Sequence, residues 1–236
     1  MLRRVIVLIA TAVLISIPVG GQRTGSRLVE AASQGRVEKV RTLLEEGARI
    51  DKKSQEGVTA LIAASAQGHV RTVELLLDRG ADLEMKDREG STALTQAAML
   101  GHNRIVTALI EAGAEISIQD QQLGMTPLMW AAFNGRTHTV KTLLSKGAQV
   151  NRRSDDGAFA LIFSSLSGHP NTVEALLVNG AAVNGKDNQG RTALMGAAVR
   201  GQVETVRSLL KFGADTNVKA NNGKTALRWA SEVGQL

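Results

Sequence analysis

The stretch Gly124–Gly135, reading GMTPLMWAAFNG, decides how the rest of the chain is read, because the same phrase returns along its whole length. Its opening glycine recurs as Gly57, Gly90, Gly124, Gly157, Gly190 and Gly223, at intervals of 33 or 34 residues. Two residues on stand Thr59, Thr92, Thr126, Phe159, Thr192 and Thr225, and two further on stand Leu61, Leu94, Leu128, Leu161, Leu194 and Leu227. The phrase closes on Gly68, Gly101, Gly135, Gly168, Gly201 and Gly234. A fixed period of this length belongs to an array of stacked supersecondary units.

Each phrase carries the chemistry of a helix start and stop. A threonine hydroxyl caps free amide groups, and Pro127 behind Thr126 suits the first helical position, where its missing N–H is no loss. The closing glycine stops that helix by taking a left-handed conformation, and a second helix then runs to the next stop, as Arg136–Ser145 does to Gly147. Helices this short are marginal alone, so each pair must bury its apolar side against the next pair. Leu43 and Leu44, Leu75 and Leu76, Leu109 and Ile110, Leu143 and Leu144, Leu176 and Leu177, and Leu209 and Leu210 are read as core of the second helices. The small pairs Ala97 and Ala98, Ala131 and Ala132, and Ala197 and Ala198 let first helices approach closely. A Gly-Ala pair, an extended stretch and a polar turn such as Asp187–Gly190 follow each second helix, as in a short hairpin-like finger.

With turn, two helices and period in one register from about residue 26 onward, the chain resembles the ankyrin-repeat proteins. The resemblance implies an all-α repeat solenoid of helix-turn-helix units with β-turn fingers, about six repeats plus a C-terminal half repeat. It also implies a non-catalytic scaffold for protein–protein interaction. One departure stands out. The family's TPLH phrase ends in histidine, whereas that place here holds Ile62, Thr95, Met129, Ile162, Met195 and Arg228. Packing is therefore expected to supply more of the adhesion between repeats.

Residues 1–21 differ from all that follows. Arg3 and Arg4 precede an apolar run, Val5 to Ile17, with Pro18, Gly20 and Gly21 behind it, the layout of a bacterial-type secretory signal peptide. The run is shorter than the roughly 20 residues a spanning helix needs, so cleavage leaving Gln22 first is expected, an uncleaved membrane anchor being the alternative. The expected location is periplasmic or secreted. The sequence has no cysteine, which suits export of an array that needs no disulfide. The following boundaries are expected: an N-terminal capping repeat at 22–53, repeats at 54–86, 87–119 and 120–153, a degenerate repeat at 154–186, a repeat at 187–219 and a C-terminal half-repeat cap at 220–236. In the capping repeat Glu30, Ser33, Gln34, Arg36, Glu38 and Lys39 give a polar outer face. In the degenerate repeat Phe159 replaces the capping threonine and Ser164 and Ser165 replace alanines, which predicts a weaker helix start.

Little in the sequence points to chemistry. His69, His102 and His169 each follow a closing glycine, one framework position repeated, and are expected to bond local backbone. His138 has no ligand partner at metal spacing. No nucleophile and base signature and no phosphate-cradling loop occurs, so no catalytic residue, cofactor or metal is expected. The formal charge of +6 falls by two if Arg3 and Arg4 leave with the leader. Basic residues are spread through every repeat, so no nucleic acid partner is expected, and membrane contact is limited to an uncleaved leader or weak electrostatics.

In the family the first helices line a concave surface. Its variable places are the residue after the histidine position and the two residues before the closing glycine. The first of these reads Ala63, Gln96, Trp130, Phe163, Gly196 and Trp229. The chain has two Trp, four Phe and no Tyr, yet Trp130, Phe133, Phe163 and Trp229 all fall on this face, joined by Met99, Leu100, Leu166 and Val199. Gln67, Gln96, Asn134, Arg200 and Glu232 form its rim. A water-facing apolar strip with a polar rim suits a protein or peptide partner, because soluble monomers seldom expose large contiguous patches. The expected binding residues are Gln96, Met99, Leu100, Trp130, Phe133, Asn134, Phe163, Leu166, Val199, Arg200 and Trp229. Pairing of two copies through the same strip, as a homodimer, is the rival expectation. The bland alternative is that these side chains fold down between helices and fill gaps.

Overall fold

The computed structural model describes residues 27–234, so the expected leader over 1–21 and the last two residues of the half repeat lie outside the described range. Thirteen helices and no strand occur among the described residues. They come as pairs of a first and a second helix: α1 Arg27–Ser33 with α2 Val37–Glu45, α3 Ala60–Ala66 with α4 Val70–Asp78, and α5 Ala93–Leu100 with α6 Asn103–Glu111. Next come α7 Pro127–Phe133 with α8 Thr137–Ser145, α9 Ala160–Ser167 with α10 Pro170–Val178, and α11 Ala193–Val199 with α12 Val203–Lys211. The last first helix, α13 Ala226–Glu232, has no second helix among the described residues. First helices pack on first helices and second on second, so two parallel rows enclose one continuous core.

Sequence chemistry accounts for five of the first-helix starts. The hydroxyls of Thr59, Thr92, Thr126, Thr192 and Thr225 accept from the amide three residues on, at 3.3–3.4 Å. Alanines set the spacing of the first-helix row, with Ala97, Ala98, Ala131, Ala132 and Ala197 fully buried. On the second helices the inner leucines Leu43, Leu76, Leu109, Leu143, Leu176 and Leu209 are core. Their outer neighbours differ from expectation. Leu44, Ile110 and Leu144 are only half-buried, and Leu210, on the last second helix among the described residues, is exposed.

Adhesion between repeats is not left to packing. His69 Nε2 lies 2.9 Å from the Ser33 carbonyl, His102 Nε2 3.0 Å from that of Ala66, and His169 Nε2 3.1 Å from that of Phe133. A carbonyl only accepts, so each Nε2 carries the proton and donates. These bonds reach the preceding repeat, not local backbone as the sequence suggested. Arg136 holds the same register and donates from Nε to the Met99 carbonyl at 3.3 Å. The closing glycine makes the contact possible: Gly68 has φ +77°, and a Cβ there would stand 2.8 Å from the His102 ring. It ends one helix and admits the side chain of the next repeat.

A second set of ties runs along the fingers. Lys53, Lys86, Gln119, Arg153 and Lys186 occupy one register, and each donates from its side chain to a carbonyl one repeat on, those of Lys86, Gln119, Arg153, Lys186 and Lys219 respectively, at 2.7–3.2 Å. The finger turns themselves close through backbone bonds such as Asp87 N–H to the Ser91 carbonyl at 3.0 Å.

The degenerate repeat starts without a cap, as its sequence indicates, but its ring is put to use. Phe159 makes no capping bond, and the Ile162 amide donates to the Phe159 carbonyl at 2.9 Å instead. The Phe159 side chain is 2 % exposed, and its Cζ would stand 2.4 Å from a Cβ at Gly185. The corresponding finger position holds Lys52, Met85, Ile118, Arg152 and Val218 in other repeats. Phe159 and Gly185 are thus a matched pair across one joint, where the next joint has Thr192 and Val218. Removing a buried phenylalanine costs about 3–5 kcal/mol when it leaves a cavity, against about 0.5–2 kcal/mol regained from a cap. Phe159→Thr is therefore expected to destabilise by about 1–4.5 kcal/mol, and Gly185→Val to destabilise by steric clash. The double variant should recover most of both losses, measured as a coupling energy from denaturant unfolding of the four proteins.

Candidate functional site

The expected binding face is one side of the first-helix row, and the structure divides its residues between surface and interior. Trp130 and Phe133 on α7 are half-buried and meet edge to face, ring centroids 6.2 Å apart at 88°. Phe133 meets Phe163 of α9 in the same way, at 6.4 Å and 82°. Edge-to-face pairs of this kind are a favourable aromatic geometry. The three rings form one ladder across a joint between repeats. Leu100, Asn134, Leu166, Val199 and Trp229 are half-buried, and Arg200 is exposed.

Three members do not face water as expected. Gln96 is 3 % exposed, Phe163 7 % and Met99 9 %. Their burial has a common cause in the close spacing of first helices set by the alanines, which turns long side chains into the joint. The apolar wall is therefore narrower than the sequence suggests, and its accessible part runs from Leu100 through the edges of Trp130 and Phe133 to Leu166 and Val199.

Buried finger aspartates claim the polar tips on this face. Asp87 Oδ2 accepts from Gln96 Nε2 at 3.1 Å, Asp120 Oδ2 from Trp130 Nε1 at 2.7 Å, and Asp187 Oδ2 from Arg191 Nε at 2.6 Å. The other oxygen of each accepts finger amides, those of Glu89 and Ser91, Gln122 and Leu123, and Gln189 and Arg191. Asp87 and Asp120 thus pin their fingers to the first helices of their own repeats, whereas Asp187 bonds within its own finger, and Trp130 presents a ring whose N–H is already spent. Asn134 is likewise occupied, donating to the Trp130 carbonyl at 2.9 Å. Trp229 differs. Its Nε1 is covered and has no acceptor, because Ala220 stands where its finger would carry the aspartate.

Two depressions lie near these residues. One, of about 60 Å³, is lined by Phe163, Leu166, Met195, Gly196, Val199 and Trp229. The other, of about 680 Å³, is a shallow polar hollow on the fingers around Gln119, Gln149 and Arg152. Its cations are engaged, Arg152 Nη2 with Gln119 Oε1 at 3.0 Å and Arg153 Nη1 with the Gly157 carbonyl at 2.8 Å. Among the described residues no group of three or more His, Asp or Glu side chains could hold a metal ion, and no helix is long and apolar enough to cross a membrane.

A family model for ankyrin repeats in three copies matches residues 28–120, 117–187 and 161–236. The chain belongs to the ankyrin-repeat family. Solved structures agree: the human ASB11 ankyrin repeat domain is 28% identical with a TM-score of 0.80, over 87% of this chain and 91% of that one. The ankyrin repeat domain of Bcl-3, described as a unique member of the IkappaB protein family, is 27% identical with a TM-score of 0.76, over 89% of this chain and 95% of that one. No curated protein matches. Ankyrin repeats are generally protein–protein interaction scaffolds, and the fold is typically non-catalytic.

The sequence reading named Phe163, Leu166, Val199 and Trp229 for this face but not the cleft that lies among them beside Gly196. The signal was present as the one glycine in the row of variable side chains. The aspartate pairs were visible only as turn residues, since nothing in a linear sequence tells which first-helix side chain a finger carboxylate meets.

Burial pushes the Asp87 carboxyl above its ordinary range, against the lowering effect of bonds from the Ser91 amide and Gln96. A raised folded value means that its stabilising contribution is complete below the ordinary aspartate range and is lost as pH rises through the folded value. Gln96 Oε1 is buried without a partner. Asp87→Asn removes the charge, and with the Gln96 amide turned over its new N–H₂ donates to Oε1. Thermal unfolding across pH should show this variant at least as stable as the parent at neutral pH, with its advantage shrinking on acidification.

Proposed function

We propose that this ankyrin array is an exported scaffold that holds a partner protein or an extended peptide against its first-helix face. The observation that carries the reading is the gathering of scarce aromatics on that face. Trp130, Phe133 and Phe163 form a continuous edge-to-face ladder, with half-buried Leu100, Leu166 and Val199 alongside and exposed Arg200 at the rim. Aromatic anchors with apolar neighbours and a polar rim are the usual anatomy of an interface centre. Phe163 and Met99 support it from below, and Gln96 and Asn134 fix the helices that present it. Export rests on the sequence of residues 1–21, with Arg3 and Arg4 before the apolar run.

The structure dictates the choice of variants. Trp130→Ala would unpair Asp120 and confuse stability with binding, whereas Leu100 and Phe133 make no side-chain hydrogen bond and lie half exposed. The chain is used as bait in an extract of the producing cell, beside Leu100→Glu, Phe133→Glu and, on the far row, Val178→Glu, which is 72 % exposed. A specific partner should be retained by the parent and by Val178→Glu, and each of the other two should lose about 2 kcal/mol or more, about 30-fold. Equal capture by all four proteins would remove this face as the interface. Sedimentation of the purified chain separates the rival reading, since a dimer dissociated by the same two substitutions would place a second copy on the face.

A further inference from the structure

Basic residues that look scattered along the chain are gathered by the fold on one flank of the second-helix row. α4, α6 and α8 pack side by side, and their first turns bring Arg71, Arg104, Arg136, His138 and Lys141 together, all exposed. Arg71, Arg104 and His138 hold one register, three residues after a closing glycine. Arg71, Arg104 and Lys141 make neither an ion pair nor a hydrogen bond among the described residues, whereas Arg41, Arg79 and Lys146 on the same row pair with Glu38, Glu45 and Glu111. Arg136 spends its Nε on the neutral Met99 carbonyl, so its charge is not compensated.

The carboxylates nearby do not cancel this charge. Among the described residues the first two turns of the three helices hold one, Glu74, while Asp78 and Glu111 lie at the far ends. On the neighbouring second helices Glu38 is held by Arg41, and Glu174 accepts from Ser208. Arg71, Arg104, Arg136 and Lys141 against Glu74 leave a net +3. Residues 27–234 carry no more than that in total, 25 Lys and Arg once Arg3, Arg4 and Arg23 are set aside, against 22 Asp and Glu. The rest of the array is therefore balanced. The starts of α4, α6 and α8 also lack a capping side chain, and the positive ends of their dipoles point to the same flank.

This flank has charge without an anchor. α4, α6 and α8 contain no aromatic residue, and a protein interface is centred on desolvated aromatic and apolar side chains. A layer of anionic phospholipid headgroups needs no such centre. It is fluid, meets each cation where it stands, and gains about fivefold in partition, about 1 kcal/mol, from each Lys or Arg near its surface. The leader expected at residues 1–21 takes the chain to a membrane whether it is cleaved or kept. We propose that the flank formed by Arg71, Arg104, Arg136 and Lys141 docks on an anionic phospholipid bilayer. The second-helix row then lies toward the lipid, and the first-helix face stays open to solution. The docking goes beyond the groove reading and does not depend on a partner in the groove.

The full chain is sedimented with vesicles of phosphatidylcholine alone and of equal parts phosphatidylcholine and phosphatidylglycerol, at low and at physiological salt. The parent should prefer the mixed vesicles, and the preference should fall as salt screens it. Arg71→Gln, Arg104→Gln and Lys141→Gln combined should weaken partition onto mixed vesicles about 100-fold, and Arg104→Gln alone about fivefold. These side chains hold no contact in the fold, so the thermal midpoint should stay at the parent value. Arg49→Gln, Lys52→Gln and Lys219→Gln combined remove the same charge from exposed finger positions and should change partition by no more than about twofold. Insertion of the leader itself is common to every variant and cancels in the comparison. No preference for mixed vesicles at low salt, equal losses from the two triple variants, or undiminished binding by the flank variant overturns the docking. Polyglutamate tests an acidic polypeptide as the occupant: its capture through the same three cations, without binding of vesicles, assigns the flank to a protein and removes the membrane. Should docking fail while Leu100→Glu and Phe133→Glu still lose their partner, the groove stands without it.

Discussion

The close approach of each closing glycine to the side chain that follows the next closing glycine is the contact on which the stack depends. Helices of seven to nine residues cannot hold themselves in water, so every joint must supply what the helix lacks. The missing Cβ of Gly68 lets the His102 ring lie against it, and the ring N–H then satisfies the Ala66 carbonyl, one of the last-turn acceptors that a helix end leaves free. Termination, satisfaction of the helix end and attachment of the next repeat are thus one event. Burial of the ring follows, and at His169 that burial, with the Arg136 charge nearby, holds the imidazole below its ordinary pKa. Arg136 shows that the contact needs a flat polar side chain more than it needs histidine.

The finger aspartates impose the next constraint. Asp87 and Asp120 bind the tips of Gln96 and Trp130, so the first-helix face presents ring edges and methylenes with few free polar groups. Where the aspartate is absent the face changes character. Ser154 stands in the finger of the repeat whose row residue is Phe163, and Ala220 in the finger beneath Trp229. The groove therefore has two regions, one pinned by carboxylates around Trp130 and one around Gly196 where apolar space and an unpaired donor remain.

Much of this was legible in the sequence, and the limits have a physical cause. The period fixed every helix, the threonine caps and the glycine stops, because these depend on residues within one turn of each other. It also placed the aromatics on one face. Depth on that face is another matter, since it is decided by side chains one repeat away: Phe163 sinks because of its neighbours on adjacent first helices, and Phe159 finds room only because position 185 is glycine. The histidines were assigned to the framework from their spacing, but their acceptors lie 36 residues back, beyond the reach of local reasoning.

The ties along the fingers have a mechanical consequence. Five successive side chains strap each finger to the next along one edge, while neighbouring second helices on the opposite edge meet through side-chain packing with fewer polar straps. Bending that opens the finger edge must stretch a regular series of directional bonds, whereas bending that spreads the second-helix row strains fewer of them, such as Thr137 to Thr172 and Lys146 to Glu111, and otherwise slides leucines past one another. The array is thus a spring with unequal stiffness, compliant about one axis, and a bound segment on the first-helix face would feel its curvature adjust mainly in that direction.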